Sequence, residues 1–388
     1  MIVISYIWFL IQVIIGYNLV LPLILYACSL VKKPSPIIKI NSAINDYGII
    51  VTAYGQITGI PDVVNSLLLL NYTNYLIYIV ADNCDITGLG FDDERIIILK
   101  PEQILASNTR SHFYAINRFK RAHNRITIID SDNLTEPSYL DELNKYFDAG
   151  YLAIQGVRNA KNLNTMYARL DAARDIYYHF YDGKILFNIG SSATLAGSGM
   201  AFTTDLYRDC LEHLDITGAG FDKVLQHAIV GRNNRIAFAQ NAIVYDEKTT
   251  QSDQLVKQRS RWINTWFKYF SYGFGLLFKG SWNQFIFGLI LLRPPLFIFL
   301  ILSLLFMFIN LFISITAVVI WLICFIIFVT GFYIALAKSD TDKQIYQSLI
   351  NIPKFVFYQV LSLLKVRKAN QHSVATTHYV HGVTKTEE

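Results

Sequence analysis

The chain has 388 residues, of which 53% are hydrophobic and 16% are charged, with a formal net charge of +5 at pH 7. The charged fraction lies well below the roughly 25% of an ordinary soluble domain, which excludes a wholly soluble protein. The basic excess is modest and lies mainly beside the apolar stretches, which favours anionic lipid as a partner and argues against nucleic acid. Four scattered cysteines without paired spacing indicate a reducing compartment and no zinc site.

The first element, residues 1–31, carries no charged side chain. A membrane span needs about 20 apolar residues, so this stretch predicts one transmembrane helix. A cleaved signal peptide is the alternative, but no basic residue precedes the apolar run, the run is too long, and no cleavage site is clear. Lys32 and Lys33 follow directly, and the positive-inside rule therefore places the N-terminus outside and the next domain in the cytoplasm.

Residues 35–250 have an ordinary mixed composition and predict one large cytoplasmic domain. Apolar, β-rich stretches alternate with helical patterns, which is typical of a mostly parallel sheet with helices on both faces. The predicted strands are residues 48–53, 76–81, 95–99 and 126–129, and the predicted helices are residues 61–70 and 109–123. The sequence therefore predicts an α/β fold whose ligand binds beyond the carboxyl ends of the strands.

Polar groups follow three of these strands at the ends where a ligand is expected, in residues 52–55, 82–85 and 130–132. Asp130 and Asp132 would repel each other at the end of a buried strand, and a hard cation such as Mg²⁺ or Mn²⁺ would neutralise them. The alternative is a solvated turn that caps a helix beginning at residues 135–137.

Three further segments follow. Residues 251–280 are rich in aromatic side chains and predict an interfacial amphipathic helix, which contains the sequence QRSRW. Residues 281–338 predict a transmembrane hairpin of two spans with a tight turn near residues 310–314. Residues 339–388 predict a basic, amphipathic cytoplasmic tail. The chain is therefore expected to be a multi-pass protein of the plasma (inner) membrane with a cytoplasmic middle domain.

Six motifs occur in one order along the chain: VTAYGQ, VADNCD, IIDSDN, LAGSGMAF, TGAGFDKVLQ and QRSRW. Together they resemble the membrane-bound family 2 glycosyltransferases, the group that contains the cellulose, chitin, hyaluronan and poly-N-acetylglucosamine synthases. The resemblance implies a GT-A fold flanked by transmembrane helices. It also implies a nucleotide-sugar donor that is usually UDP-linked, inversion at the anomeric carbon, and Mg²⁺ or Mn²⁺ as cofactor.

On the donor side, Thr52 and Tyr54 match the first motif, whose aromatic ring stacks on the nucleobase. Asp82 matches the acid that accepts from uracil or ribose. Asp130 and Asp132 match the metal motif, in which Asp132 contacts the cation directly and Asp130 also faces the sugar and ribose. The alternatives are that Tyr54 only packs against the strand end and that Asp82 only forms a turn.

On the acceptor side, Asp222 matches the general base that takes the proton from the incoming hydroxyl. It could equally be a first-turn acid stabilised by the helix dipole. Ser198 and Gly199 match the acceptor-side loop, where small residues let a sugar approach the backbone. A plain tight turn is the alternative for that loop.

The QRSRW motif supplies the remaining predicted residues. Gln258, Arg261 and Trp262 are three and four residues apart and would share a helical face. Arg259 and Arg261 offer forked donors for pyrophosphate, and Trp262 offers a platform for the acceptor sugar. The alternative is an amphipathic helix whose arginine and tryptophan lie at headgroup level, and both interpretations can hold together.

The motifs depart from the family pattern at three points. Gly55 and Gln56 stand where the family usually has Asn-Glu, and Phe221 replaces the acid before the predicted base. Residues 375–378 resemble a gating segment without its usual tryptophan. These departures weaken any inference about the donor, and an inactive scaffold of the same fold remains an alternative.

The sequence thus predicts an inverting glycosyltransferase that moves a glucose or N-acetylglucosamine type sugar from a UDP-sugar to a glycan or lipid-linked acceptor. Transfer of a single sugar to polyprenyl phosphate is the alternative of the same class. Three spans are few for a polysaccharide channel, so a homodimer or an accessory membrane subunit is compatible with the sequence. A transporter is disfavoured because the spans contain no acid or base.

Overall fold

The computed structural model describes residues 2–32, 37 and 45–366 of the chain. At its centre one eight-stranded sheet has the strand order β3-β2-β1-β4-β7-β6-β8-β5. The strands are β1 Tyr47–Tyr54, β2 Tyr75–Asp82, β3 Ile96–Leu99, β4 Arg125–Asp130, β5 Leu134–Thr135, β6 Ala153–Ala160, β7 Met200–Thr203 and β8 Ile236–Asp246. Strands β3, β2, β1 and β4 run parallel, as do β6 and β8, whereas β7 and β5 run antiparallel to their neighbours. The predicted α/β fold with a mostly parallel sheet is confirmed.

Helices surround the sheet and continue into the apolar segments. They are α1 Ile2–Val31, α2 Ile60–Leu68, α3 Asn108–Ile116, α4 Tyr139–Asp148, α5 Met166–Tyr178, α6 Leu186–Asn188, α7 Thr204–Leu211, α8 Phe221–Gly231, α9 Ser252–Tyr269, α10 Tyr272–Leu277, α11 Trp282–Leu292, α12 Leu296–Asn310, α13 Ile315–Ala337, α14 Lys343–Ser348 and α15 Ile352–Leu364. A π-helical segment, His179–Ile185, joins α5 to α6, and a 3₁₀ turn, Leu349–Asn351, precedes α15.

The alternation of side chains along the strands divides the core between the two faces of the sheet. Ile50 and Ile128 are buried in one apolar cluster, and Ile49 and Ile129 are buried in the other. Helices α3, α7 and α8 contribute to the first cluster, and α2 and α4 contribute to the second. Both faces are therefore covered, which leaves the edge at the strand ends as the place for a ligand.

The helix predicted for residues 109–123 is shorter than expected and ends at Ile116. Beyond it, the backbone N–H of Lys120 donates to the hydroxyl of Tyr78 at 2.9 Å. A continuing helix would direct that N–H to a carbonyl four residues back instead. The bond holds the chain beyond the helix against β2, and this tertiary contact has no counterpart in the local pattern.

Within the described residues, α1 and α13 are long and apolar enough to cross a membrane. Helices α11 and α12 would make a third crossing only as a pair, and they are bent by 70° where Arg293, Pro294 and Pro295 separate them. Alone, the 15 residues of α12 would reach about 22 Å, short of the roughly 30 Å hydrocarbon core. The predicted two-span hairpin of residues 281–338 stays a prediction.

An uncharged polar cluster joins the apolar helices. Asn310 Nδ2 and Trp321 Nε1 both donate to Gln12 Oε1, at 2.5 and 2.8 Å. Trp8 Nε1 donates to Asn310 Oδ1 at 3.4 Å. Polar groups need such partners in an apolar medium, so the cluster fixes α1 against α12 and α13.

The described part of the tail packs back on the domain. Phe355 of α15 is buried with Leu255 of α9 and Leu170 of α5. The ring of Tyr358 meets that of Tyr167 edge-on at a centroid distance of 5.5 Å. The resembled gating segment, residues 375–378, lies outside the described residues.

Candidate functional site

The ends of three neighbouring parallel strands bring the predicted donor-side residues to one edge of the sheet. In the pairing of β1 with β2, Tyr54 lies opposite Asp82. In the pairing of β1 with β4, Thr52 lies opposite Asp130. Neighbouring strands are about 4.8 Å apart, so the backbones of these four residues lie close together at one edge of the sheet.

The carboxylate of Asp82 is buried and accepts hydrogen bonds from the backbone. The N–H of Leu105 donates to one oxygen at 2.9 Å, and the N–H of Ala106 donates to the other at 2.7 Å. Ala106 has a φ of +46°, which non-glycine residues seldom adopt. These contacts make Asp82 an anchor of the loop after β3, and its recognition of a nucleobase stays a prediction.

Gly55 explains one departure from the family pattern. Its φ is +74°, and its N–H donates to the carbonyl of Asp82 at 3.1 Å. Glycine adopts this left-handed conformation readily and asparagine more readily than most residues. The exchange of the family's asparagine for glycine therefore preserves the backbone turn and removes only the side-chain amide.

The loop that carries the metal motif is held from two sides. The N–H of Asp130 donates to Ser198 Oγ at 3.0 Å, which ties the loop to the predicted acceptor-side turn. Asn133 Nδ2 donates to Asp132 Oδ1 at 3.1 Å and to Asp246 Oδ1 at 3.3 Å. The geometry of the two predicted metal ligands is thus set by the turn before β7 and by the end of β8 as well as by their own strand.

The two aspartates of this loop suit a hard cation that is also bound by the phosphate oxygens of a ligand. Asp132 is 7% exposed and Asp130 is half-buried. In the part of the chain that the structure describes, no group of three or more His, Cys, Asp or Glu side chains is placed to hold a metal. Mg²⁺ in nucleotide sites takes one or two carboxylates plus phosphate oxygens, so these aspartates fit a cation that arrives with a diphosphate. The alternative prediction of a helix that begins at residues 135–137 is wrong. Leu134–Thr135 form β5, and the next helix, α4, begins at Tyr139.

The acceptor-side turn requires its glycine. Gly199 has a φ of +64°, and an added Cβ would lie 3.0 Å from Val244 Cγ2. Its N–H donates to the carbonyl of Ile128 at 2.9 Å, and Gln155 Nε2 donates to the carbonyl of Ser198 at 3.1 Å. The turn is therefore clamped between β4 and β6.

Asp222 lies in the first turn of α8, as predicted for this segment. The preceding Gly220 has a φ of +107°, and a Cβ there would lie 2.6 Å from Tyr269 Cε2 and 2.7 Å from Thr265 Cγ2. The start of α8 therefore packs directly on α9, the helix that carries QRSRW. The Nζ of Lys223 lies 3.1 Å from Asp222 Oδ2.

Phe221 stands in an apolar setting. Its ring meets that of His112 edge-on at a centroid distance of 5.1 Å, and both side chains are buried. Burial lowers the pKa of His112 to about 3, so the imidazole is neutral. Tyr207 Oη lies 2.7 Å from His112 Nδ1. Phe221, which stands in place of the family's acid, thus packs in a buried setting that suits an aromatic ring.

The QRSRW residues differ in exposure. Arg259 is 2% exposed and Trp262 is 39% exposed. The Nη2 of Arg259 donates to Asp171, and its Cζ lies 4.0 Å from the centroid of the Trp262 ring. Burial lowers the pKa of the half-buried Arg261, and Gln258 Oε1 accepts from Thr249 Oγ1 at 3.2 Å.

A buried ion network was missed by the sequence analysis. Arg158 Nη2 lies 2.8 Å from Asp246 Oδ2, and Lys248 Nζ lies 2.8 Å from Asp246 and 2.5 Å from Asp175. Burial opposes ionisation, yet Arg158 and Lys248 hold the pKa of Asp246 well below its usual range. Burial would lower the pKa of Arg158, but the nearby carboxylates of Asp246 and Asp130 raise it. Because Asp130 belongs to the metal motif, the network lies beside that motif. The charged residues in RNAK (158–161) and YDEK (245–248), at the ends of β6 and β8, are the sequence feature from which the network could have been predicted.

A family model described as glycosyltransferase like family 2 matches residues 45–265, more than half of the chain. The match covers all six motifs up to and including QRSRW. No curated protein sequence matches the chain.

Solved structures are similar in fold. The mannosyltransferase PcManGT from Pyrobaculum calidifontis, in complex with GDP-Man and Mn²⁺, has a TM-score of 0.60 and 13% identity, over 91% of this chain and 96% of that chain. S. aureus TarS 1-349, in complex with UDP-GlcNAc, has a TM-score of 0.45 and 12% identity, over 84% and 92% of the two chains. At these identities the first likeness shows the fold, and the second is too low to argue from.

Proposed function

Because the chain belongs to the glycosyltransferase like family 2, we propose that it is a membrane-anchored, metal-dependent, inverting glycosyltransferase. It moves a glucose or N-acetylglucosamine type sugar from a UDP-sugar to a glycan or lipid-linked acceptor and forms a β-glycosidic bond. The similar mannosyltransferase is in complex with GDP-Man, so a GDP-linked donor is the first alternative to test.

One observation carries the proposal. Tyr54 pairs with Asp82 and Thr52 pairs with Asp130 at the carboxyl ends of adjacent parallel strands. A nucleotide bound at this edge would meet an aromatic ring, a carboxylate and the metal motif together. The packing of α8 on α9 at Gly220 supports a shared site, because it joins the predicted base to the QRSRW helix.

The chemistry follows from these placements. Asp222 accepts the proton of the acceptor hydroxyl as that oxygen attacks the anomeric carbon from the face opposite the departing nucleotide. Asp130 and Asp132 would hold Mg²⁺ or Mn²⁺, and an ion bound there with the donor would supply positive charge to the diphosphate of the leaving group. In this proposal Ser198 and Gly199 form the acceptor-side turn, which stays narrow because an added Cβ at Gly199 would meet Val244 of β8.

The membrane brings the acceptor and the enzyme together. Helix α1 and helix α13 are the anchors, residues 35–250 form the cytoplasmic catalytic domain, and residues 251–280 lie at the lipid surface. Basic residues beside the anchors, such as Lys32 and Lys338, favour this orientation in the inner membrane. A lipid-linked acceptor, a homodimer or an accessory membrane subunit would suit a chain with so few spans.

The test is a transfer assay on membranes that contain the full chain, with labelled UDP-glucose, UDP-N-acetylglucosamine or GDP-mannose and Mn²⁺. We expect Asp222→Asn to lower transfer by roughly 10²–10⁴-fold, the contribution of a general base. Asp209→Asn makes the same chemical change on the exposed face of α7 and serves as the matched control. Donor binding without turnover in the wild type would support an inactive scaffold, and a product with one sugar on polyprenyl phosphate would support single transfer.

A further inference from the structure

Helix α5 carries a stripe of charged residues that faces the protein interior. Asp171, Arg174 and Asp175 are spaced three and four residues apart, so they share one face of the helix. Their side chains are only 3%, 11% and 18% exposed. Buried charges are costly unless they are paired, so the partners of this stripe show what it organises.

Asp171 holds two arginines from two different helices. Its Oδ1 lies 3.1 Å from Nη2 of Arg174 and also accepts from Nη2 of Arg259 in α9. The Nε and Nη1 atoms of Arg259 are buried and bond to no residue that the structure describes. The position of the Arg259 guanidinium therefore depends on the Asp171 carboxylate.

Both arginines lie against the indole of Trp262. The Cζ of Arg174 is 4.2 Å and the Cζ of Arg259 is 4.0 Å from the ring centroid, within the range of a cation–π contact. Trp262 nevertheless keeps 39% of its surface exposed. The Asp171 carboxylate thus contacts both of the cations that hold a partly exposed aromatic ring, and Arg174 also donates to Asp175.

The same helical run contains a pair that is chemically alike but placed elsewhere. Asp182, in the π-helical segment, pairs with Arg293 at the break between α11 and α12, and both side chains are 5% exposed. The Cζ of Arg293 lies 5.5 Å from the ring of Tyr178. Asp182 therefore offers a matched control for the loss of a buried aspartate–arginine pair away from α9.

We propose that Asp171 is a positioning residue of the acceptor site, which holds Arg174 and Arg259 on Trp262 and so fixes the indole as the acceptor platform. The acceptor role rests on the proposed function, whereas the holding of Trp262 does not. Orientation matters because the attacking hydroxyl must stay aligned with the base, and a misplacement of about 1 Å can cost roughly a hundredfold in rate.

The first test is independent of activity. Full-length protein in detergent is labelled with 5-fluorotryptophan, and Trp262→Phe identifies the Trp262 resonance among the five tryptophans. We expect Asp171→Asn, which keeps the shape and removes the charge, to shift or broaden that resonance, and Asp182→Asn to leave it unchanged. Arg174→Gln should shift it in the same way and is the second variant if Asp171→Asn does not fold. An unchanged Trp262 resonance in a folded variant overturns the proposal.

The second test separates the acceptor from the donor. Membranes receive labelled UDP-N-acetylglucosamine, and transfer to endogenous acceptor is compared with hydrolysis of the donor by water. We expect Asp171→Asn to lower the transfer-to-hydrolysis ratio roughly tenfold or more, and Asp182→Asn to leave the ratio unchanged. Equal loss of both activities would mean a purely structural role and would overturn the proposal. A wild type without transfer would defeat the proposed function instead, and the resonance test would then decide the inference alone.

Discussion

The donor side and the acceptor side of the candidate site are held together by different kinds of contact. On the donor side, the carboxylate of Asp82 accepts from two backbone N–H groups, the farther of them 24 residues away in sequence. On the acceptor side, Asp171 pairs with Arg259 across 88 residues, and in the adjoining ion network, which also reaches the metal motif, Asp175 pairs with Lys248 across 73 residues.

This difference decides how each side responds to change. Backbone donors are present whatever side chain stands at their position, so the part of the donor side around Asp82 depends mainly on its own acid. Buried ion pairs need both partners, and removing one leaves an uncompensated charge. We therefore expect the acceptor side to be the more fragile half, and four measurements can break or sharpen that comparison.

The largest expected effect is on stability, through Lys248, which is 1% exposed and pairs with Asp175 and Asp246. Lys248→Met would leave the buried Asp246 and the partly buried Asp175 with Arg158 and Arg174 as their remaining partners, and should lower the free energy of unfolding by about 3 kcal/mol. Urea unfolding in detergent measures the loss. Lys145→Met, which removes an exposed pair with Glu142, should cost less than about 1 kcal/mol. Similar costs for the two variants would contradict the comparison.

The next effect concerns the contact between α8 and α9. Gly220→Ala would place a Cβ 2.6 Å from Tyr269 and 2.7 Å from Thr265 at a φ of +107°. We expect a cost of about 2–3 kcal/mol and a roughly hundredfold loss of transfer, because the helix carrying Asp222 must move. Gly275→Ala in α10 is the control, since its Cβ would meet nothing within 4 Å. Normal transfer in Gly220→Ala would show that the spacing of the two helices does not matter.

The strand ends of the donor side were easier to find in the sequence than the contacts of the acceptor side, for a physical reason. Apolar, β-rich runs that end in Asp82 or Asp130 predict both the strand and the polar group at its end. Helix α5 gave no such indication, because Asp171 and Arg174 in RLDAARDIYY look like an exposed face until partners from α9 are known. The early end of α3 at Ile116 was likewise not visible in the local pattern, and the residues beyond it contact the hydroxyl of Tyr78 in another strand.

A smaller effect is expected from Asp82→Asn on the donor side. The amide oxygen can accept from one of Leu105 and Ala106, but the amide nitrogen cannot accept from the other, so one hydrogen bond is lost at about 1–2 kcal/mol. Donor KM should rise roughly tenfold, while the transfer-to-hydrolysis ratio stays constant. Asp85→Asn, on an exposed carboxylate in the following loop, is the control. A change in the ratio would show that the two sides are not independent.

The smallest expected effect is a pH dependence confined to the acceptor side. Burial raises the pKa of Asp171 to about 6, against the influence of Arg174. The charged groups that face it from α5, from β8 and the residues that follow it, and from α9 are Arg174, Asp175, Asp246, Lys248 and Arg259.

Protonation below that pKa removes the charge that holds Arg174 and Arg259, so the transfer-to-hydrolysis ratio should fall as the pH drops from 7.5 to 5.5. With a pKa near 6, most of the carboxylate is ionised at the upper pH and a minority at the lower, which gives a decrease of roughly threefold. The ratio of Asp171→Asn should be low and independent of pH, because an amide does not titrate in this range. A wild-type ratio that stays constant across this interval would mean that Asp171 stays ionised. The pairing with Arg259 would then stabilise the ionised carboxylate more than burial destabilises it.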